Sequence, residues 1–435
     1  MNTPRFAHRP AWIHAYFLLL ALAAALSLLH RGLALKLFTL AGAIGWACAA
    51  AVAWAHWRGA RPAQPSALAL WPLLLAGFAL GLSKWLWAWH FGSPGEDLAY
   101  NQQEGGKRIM LAMGALWCAY HCRAALAPTG RRQVAWVLLA GLGLALLAGV
   151  LEHQRSGWRV RLNTDAATTA AYLITAYGLA TASAVRQAFS PRGLGMALFL
   201  LATLMALALV GLTRTRSAVL LAPWLFLLLA WPGARQLPAR ARWLVVITIL
   251  LAGALVLNAA WQRVARLPEE FTHYGTQNNT STSSRLLLWK AGVLGQTPSV
   301  WGETVQQRAS NLGQYLNTFE QGNPGALASL RYHLHNELLD TLALRGVAAA
   351  ALLLAFYAAL LGLAIRARHL DLLLFALPLL LFGLVDVVLH QRLACLALFS
   401  QLALVASTLP QRQPRAAAAP EGSLNGMLRR SALPQ

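Results

Sequence analysis

Apolar runs of about twenty residues recur along this chain, and they leave it few folds to adopt. A hydrocarbon core about 30 Å thick is crossed by about 20 apolar residues in a helix. Runs of this kind occupy 11–29, 35–55, 66–83, 109–122, 133–151, 166–185, 194–212, 217–231, 243–259, 346–365, 370–389 and 393–409. Lipid offers no hydrogen bonds, so each run has to satisfy its backbone internally, as a helix. The expectation is an all-α polytopic membrane protein with about 12 transmembrane helices. A composition of 58% hydrophobic and 11% charged residues excludes an ordinary soluble domain.

Only one long hydrophilic interval interrupts the pattern, from Trp261 to Asp340. The chain therefore divides into transmembrane helices at 1–259, a large loop at 260–340 containing short helices, further transmembrane helices at 341–410, and a Pro/Ala/Arg-rich tail at 411–435 that is expected to be disordered. Arg5 and Arg9 precede the first apolar run, which is too long for a signal-peptide core and is kept as a span. Basic residues in the short connections set the orientation. With the N-terminus in the cytoplasm, the inner side holds 18 of the 36 basic residues, including Arg58, Arg61, Arg123, Arg186, Arg235 and Arg366, and only Asp371 and Glu421 of the 14 acids. The reverse orientation moves nearly every acid inside. Both termini are thus expected in the cytoplasm and the large loop outside, which in a bacterium with an outer membrane is the periplasm.

A net charge of +22 invites a nucleic-acid reading, yet the basic residues lie in twos and threes between apolar runs, with no basic stripe or RNA-binding motif. Nucleic acid is set aside as a partner, and membrane lipids are kept. Cys48, Cys118, Cys122 and Cys395 all fall inside apolar segments, as packing residues rather than a disulfide or metal set. No repeat or inverted pair of broken apolar segments marks a secondary transporter. Three tryptophans at alternate positions in 84–90 read as an interfacial belt.

Chemistry has to come from charged residues near the outer boundary. Arg214 and Arg216 close the seventh run with no acid near them in sequence, and guanidinium groups so placed need partners. Planar guanidinium groups grip phosphate or diphosphate bidentately. Arg285 follows a Ser/Thr/Asn-rich turn and starts a helical pattern with Trp289. Ser283 or Ser284 is expected to cap that helix, whose N-terminus adds partial positive charge. Arg159 and Arg161 make the 152–165 connection basic although it lies outside. His335, with Asn336, Glu337 and Asp340 close by, sits where a helix is expected to run through Gly346 into the tenth span, and an imidazole is a neutral base near pH 7. His333 and His335 form His-x-His, but on a helix they diverge by about 200° and no third ligand follows at useful spacing, so no metal site is expected. Asp386, read as lying in the eleventh span a turn before His390, is expected to hold one of the site arginines.

Arg216-x3-Leu220 at the end of a span, Arg285 with Trp289, Pro298-Ser-Val-Trp-Gly302, and His335-x10-Gly346 with Asn336 follow one another in this order. Together they resemble the bacterial O-antigen ligase family, within the wider group of O-antigen polymerases and protein O-oligosaccharyltransferases. The likeness extends over most of the chain. It implies transfer of a polysaccharide from undecaprenyl diphosphate to a sugar of the lipid A core oligosaccharide, at the periplasmic face of the bacterial inner membrane, without metal, nucleotide or other cofactor. By motif position Arg216 and Arg285 bind the diphosphate and His335 is the base, with inversion at the anomeric carbon. Arg159, Arg161 and Arg214 are further diphosphate candidates by charge and location. Asp386, Asn336 and His333 are supporting residues, and His333 is the alternative base. The rival readings are a polymerase or protein transferase of the same group and, from another class, a transporter of anionic lipid.

Overall fold

In a computed structural model of the chain, residues 10–59, 70–93, 95–272, 280–296, 299–320 and 322–410 are described, and no strand forms among them. The expectations for Arg5, Arg9, Arg61, Pro298, Glu421 and the 411–435 tail lie outside these residues.

Each apolar run coincides with a helix. Before the hydrophilic interval come α1 (Pro10–Leu26), α2 (Arg31–Trp57), α3 (Trp71–Phe91), α4 (Asp97–Cys122), α5 (Pro128–Ser156), α6 (Ala167–Ala188), α7 (Leu194–Thr213), α8 (Arg216–Ala234) and α9 (Ala239–Ala259). The interval itself folds into α10 (Trp261–Ala265), α11 (Leu267–Thr272), α12 (Ser281–Leu294), α13 (Val305–Phe319) and α14 (Pro324–Ser329). After it come α15 (Glu337–Arg366), α16 (Leu370–Val385) and α17 (Arg392–Ala406). Helices α2, α5, α7, α8, α9 and α15 are long and apolar enough to cross a membrane, and α1, α16 and α17 are shorter apolar helices. The short run at 109–122 belongs to a longer helix, because α4 begins at Asp97 with three polar turns.

Small residues let these helices close on one another without a hydrophobic driving force. A Cβ on Gly45 of α2 would lie 2.2 Å from the carbonyl oxygen of Gly114 of α4. All four cysteines are free. The loop has a small core of its own, built from Leu287, Leu288, Ala291, Leu312, Leu316, Leu330 and Leu334. It is docked by Trp87, which packs with Val305 and Leu344 and donates its indole N–H to the Glu303 carbonyl at 3.1 Å. Alternate positions fall on opposite faces of a helix, so Trp87 is buried in this joint while its neighbour Trp89 stays exposed.

Helix α15 is two helices joined at Gly346, whose φ of 80° and ψ of −178° break the helical path. A Cβ there would lie 2.5 Å from both the Gly302 nitrogen and the Ser299 oxygen, and Gly302 is itself left-handed at φ 98°. Val347 N–H donates to Ser299 O at 2.9 Å, Ala348 to Val300 at 3.2 Å, and Glu303 to Leu344 at 3.1 Å. The glycines of two separate sequence motifs thus form one backbone-to-backbone contact. Gly346→Ala is expected to destabilise the protein by about 2 kcal/mol or more, from the strained φ together with the clash. A wild-type melting curve for the purified variant would show that the contact does not matter.

A further boundary differs from the sequence expectation. Helix α16 stops at Val385 because Asp386 turns extended, at φ −159° and ψ −172°. Asp386 and His390 therefore sit in the 386–391 connection, not inside a span.

Candidate functional site

The site forms where the 386–391 connection, the start of α15 and helix α12 meet. Asn336 caps α15 by accepting from the Leu339 N–H at 3.0 Å, and its amide reaches across to the Leu384 carbonyl at 3.0 Å. The helix thus begins at Glu337, two residues after His335, so the imidazole is not carried on a helix as the sequence pattern suggests. His335 instead adopts φ 52°, a conformation uncommon for a residue with a side chain. Trp289 of α12 helps fix it by donating its indole N–H to the His335 carbonyl at 3.0 Å. Helix α12 is capped by Thr280, whose hydroxyl accepts from Ser283 N, rather than by Ser283 or Ser284.

His335 Nδ1 lies 3.1 Å from Asp386 Oδ1. A carboxylate only accepts, so Nδ1 carries the proton and Nε2 keeps its lone pair. The Asp386 carboxylate also takes the Val387 N–H at 3.0 Å and the Tyr172 hydroxyl at 3.4 Å, and Arg285 stands 3.8 Å away. Burial alone would raise its pKa, but the hydrogen bond from His335 and the positive groups around it hold it well below the usual carboxylate range. Asp386 is therefore an anion that orients one imidazole and faces one guanidinium.

His333 lies against His335, ring centroids 4.3 Å apart and nearly perpendicular, and its buried Nδ1 has no partner among the described residues. Burial, with His335 beside it, pushes His333 down to about 4, so it is neutral at pH 7. The donor atoms of His333, His335 and Asp386 all fall within 4.8 Å of one another. A third ligand that local spacing lacks is thus supplied by residue 386, because residues 333–336 are not helical. Against a cation there, Arg285 already faces the same carboxylate, and further guanidinium groups lie behind it.

Those groups form a cluster. Burial and the charges of Arg263 and Arg285 push Arg159 down to about 10, and Arg263 is pushed down by burial and by Arg216, Arg285 and Arg214. Arg159 is fixed at the α7–α8 junction, donating to Thr213 O at 2.8 Å and to the Thr215 hydroxyl at 3.0 Å. Arg214 takes a left-handed conformation there, and its carbonyl accepts from Arg263 at 3.3 Å. Arg161 is exposed at the rim. Arg216 makes a two-pronged ion pair with Glu270, at 2.6 and 2.7 Å, and also donates to the Thr282 hydroxyl at 3.1 Å. That hydrogen bonding lowers the Glu270 pKa.

Glu270 is therefore a buried partner of a site arginine. Arg263 and Tyr172 were missed altogether. The first is one of several loop arginines, and the second is one of several hydroxyls inside an apolar run. Arg308 was missed too. Fully buried, it donates to Asp340 at 2.9 Å and to the Leu330 carbonyl at 2.8 Å, while Asp340 accepts from Leu334 N at 3.0 Å. Asp340 thus braces the backbone that leads into His335. Glu337 does the same from the other side, accepting from Leu389 N at 2.6 Å and the Tyr357 hydroxyl at 2.8 Å.

Chemically, the arrangement offers an oriented imidazole base beside several arginines, of which Arg216 faces Glu270 and Arg285 faces Asp386. It suits a reaction that removes one proton and stabilises a large anion. Residues 200–354, which span the α7–α8 junction, the loop and most of α15, match the family described as O-antigen ligase. An O-antigen ligase of Escherichia coli (strain K12) is 25% identical over 253 residues, 57% of this chain and 59% of that protein. The chain thus spans under two thirds of this curated relative's length. On these two matches, and with its multi-pass helical fold, the chain is similar to the O-antigen ligase family across the α7–α8 junction, the loop and most of α15.

Proposed function

We propose that the protein transfers an undecaprenyl-diphosphate-linked polysaccharide to a sugar hydroxyl of lipid A core, at the periplasmic face of the bacterial inner membrane, with both termini in the cytoplasm. His335 Nε2 takes the proton of the acceptor hydroxyl as its oxygen attacks the anomeric carbon. The bond from that carbon to the diphosphate oxygen breaks, and the diphosphate leaves with the electron pair. A single displacement inverts the anomeric configuration. Arg285 and Arg216, with Arg159, Arg161 and Arg214, stabilise the departing anion, so neither a metal nor another cofactor is required. The observation that carries this reading is the 3.1 Å contact between His335 Nδ1 and Asp386, which leaves Nε2 free beside the guanidinium cluster.

Glycan transfer by the purified protein in EDTA is the expected result, and its failure there with recovery on adding a divalent ion would overturn the mechanism. In cells lacking the protein, loss of long-chain lipopolysaccharide with build-up of fully polymerised lipid-linked chains is expected. Accumulation of single repeats would indicate a polymerase, and movement of lipid without transfer would indicate a transporter.

A further inference from the structure

Lys84 follows the third apolar run, a place from which a lysine ordinarily snorkels to water. Its side chain is enclosed instead, with the residue only 2% exposed. Burying an ammonium is costly unless it is well partnered, so the group it holds is informative. Lys84 Nζ donates to the Leu389 carbonyl at 2.5 Å. Leu389 lies in the 386–391 connection, in the same short segment as Asp386.

The backbone N–H of Leu389 is held as well, by Glu337 Oε1 at 2.6 Å. Both polar backbone groups of this residue are thus gripped by buried charged side chains, a cation from α3 and a carboxylate from α15. Hydrogen bonds to charged groups are the stronger kind. The other donor to the Leu389 carbonyl is the Cys395 thiol at 3.2 Å, and a thiol is a weak donor. Both charged side chains also occupy room that glycines leave. A Cβ on Gly106 of α4 would lie 3.2 Å from Lys84 Cβ, and one on Gly383 of α16 would lie 2.9 Å from Glu337 Oε2.

These contacts pin the chain on both sides of Asp386. Asn336 holds the Leu384 carbonyl at 3.0 Å, and Glu337 and Lys84 hold Leu389. Asn336 and Glu337 follow His335 directly and tie the connection to the imidazole. Lys84 ties it to a third element, α3, which Trp87 docks on the loop. The Asp386 carboxylate itself has only the Val387 N–H at 3.0 Å and the distant Tyr172 hydroxyl at 3.4 Å beside His335, so its place depends on the backbone that carries it.

We infer that Lys84 is a positioning residue of the transfer reaction, which fixes the 386–391 connection through Leu389 and so sets the Asp386 carboxylate against His335. The inference rests on the reading of His335 as the base.

The test follows glycan transfer by purified full-length protein with donor concentration varied. Lys84→Met keeps an unbranched side chain and removes its donor. It is expected to lower kcat about tenfold or more, as when a reacting geometry is held slightly out of place, with donor KM changed less than about twofold. Single-turnover rates are then compared in an Asp386→Ala background. No carboxylate remains there to misplace, so adding Lys84→Met is expected to cost less than about a further twofold. An unchanged kcat in Lys84→Met overturns the inference. Losses that multiply across the two substitutions overturn it too, because they mark a general role in the fold. Should Lys84→Met not fold, Lys84→Gln takes its place in the same comparison. Full activity in His335→Ala defeats the reading of the base, whereas loss there with unchanged activity in Lys84→Met defeats this inference alone.

Discussion

His335→Ala is expected to lower glycan transfer by about 10²–10⁴-fold, the range in which a positioned general base contributes. The loss should appear in kcat, because the imidazole acts on the proton as the bond forms. Asp386→Asn is expected to fall in the same range for a different reason. Asparagine offers an N–H to Nδ1, which favours the tautomer with the proton on Nε2 and leaves no lone pair toward the acceptor. His333→Ala separates the two histidines. Its imidazole is neutral and packs edge-on against His335, so its removal loosens the base without abolishing it, and a loss under about tenfold is expected. Full activity in His335→Ala would sink the assignment, and a large loss confined to His333→Ala would transfer the role to that residue.

Arg285→Ala is expected to cost about 10²–10³-fold in transfer, comparable to removing one preorganised donor from a developing anion. Lysine should restore only part of this, since a point charge cannot reproduce a two-pronged grip. Arg216 allows a sharper comparison because its fork is held by Glu270. If the diphosphate takes that fork over, Arg216→Ala loses activity while Glu270→Gln, which weakens the competing anion, lowers the donor KM. If Arg216 serves only to hold Glu270, the two substitutions do equal damage. Steady-state kinetics of the two variants, with donor concentration varied, distinguish these outcomes.

The membrane fold was legible in the sequence because twenty apolar residues in a row have one stable solution in lipid. The family resemblance was legible because the residues that carry it are short, local and ordered along the chain. What was not legible depends on contacts across long separations. His335 and Asp386 are 51 residues apart, Arg216 and Glu270 54, and Tyr172 and Asp386 214. No periodicity encodes such pairs. Asp386 was read inside a span because the apolar run continues past it, whereas the chain turns there to present the carboxylate to His335. His335 was read on a helix because apolar residues follow it, whereas the Asn336 cap delays the helix by two residues. That shift converts a His-x-His pair expected to diverge into two imidazoles in contact.

The stitching of residues 299–303 onto the Gly346 kink also has a mechanical side. Three backbone hydrogen bonds and two interlocked glycines fasten this rim of the loop to α15, so rim and span move as a single lever. The Arg308–Asp340 brace adds the His335 backbone to the same rigid piece. A ligand that reaches His335 therefore enters without swinging this side aside. On the opposite side stand α10 and α11, two short helices of five and six residues, and the Arg216–Glu270 pair is a latch that ties α11 to the start of α8.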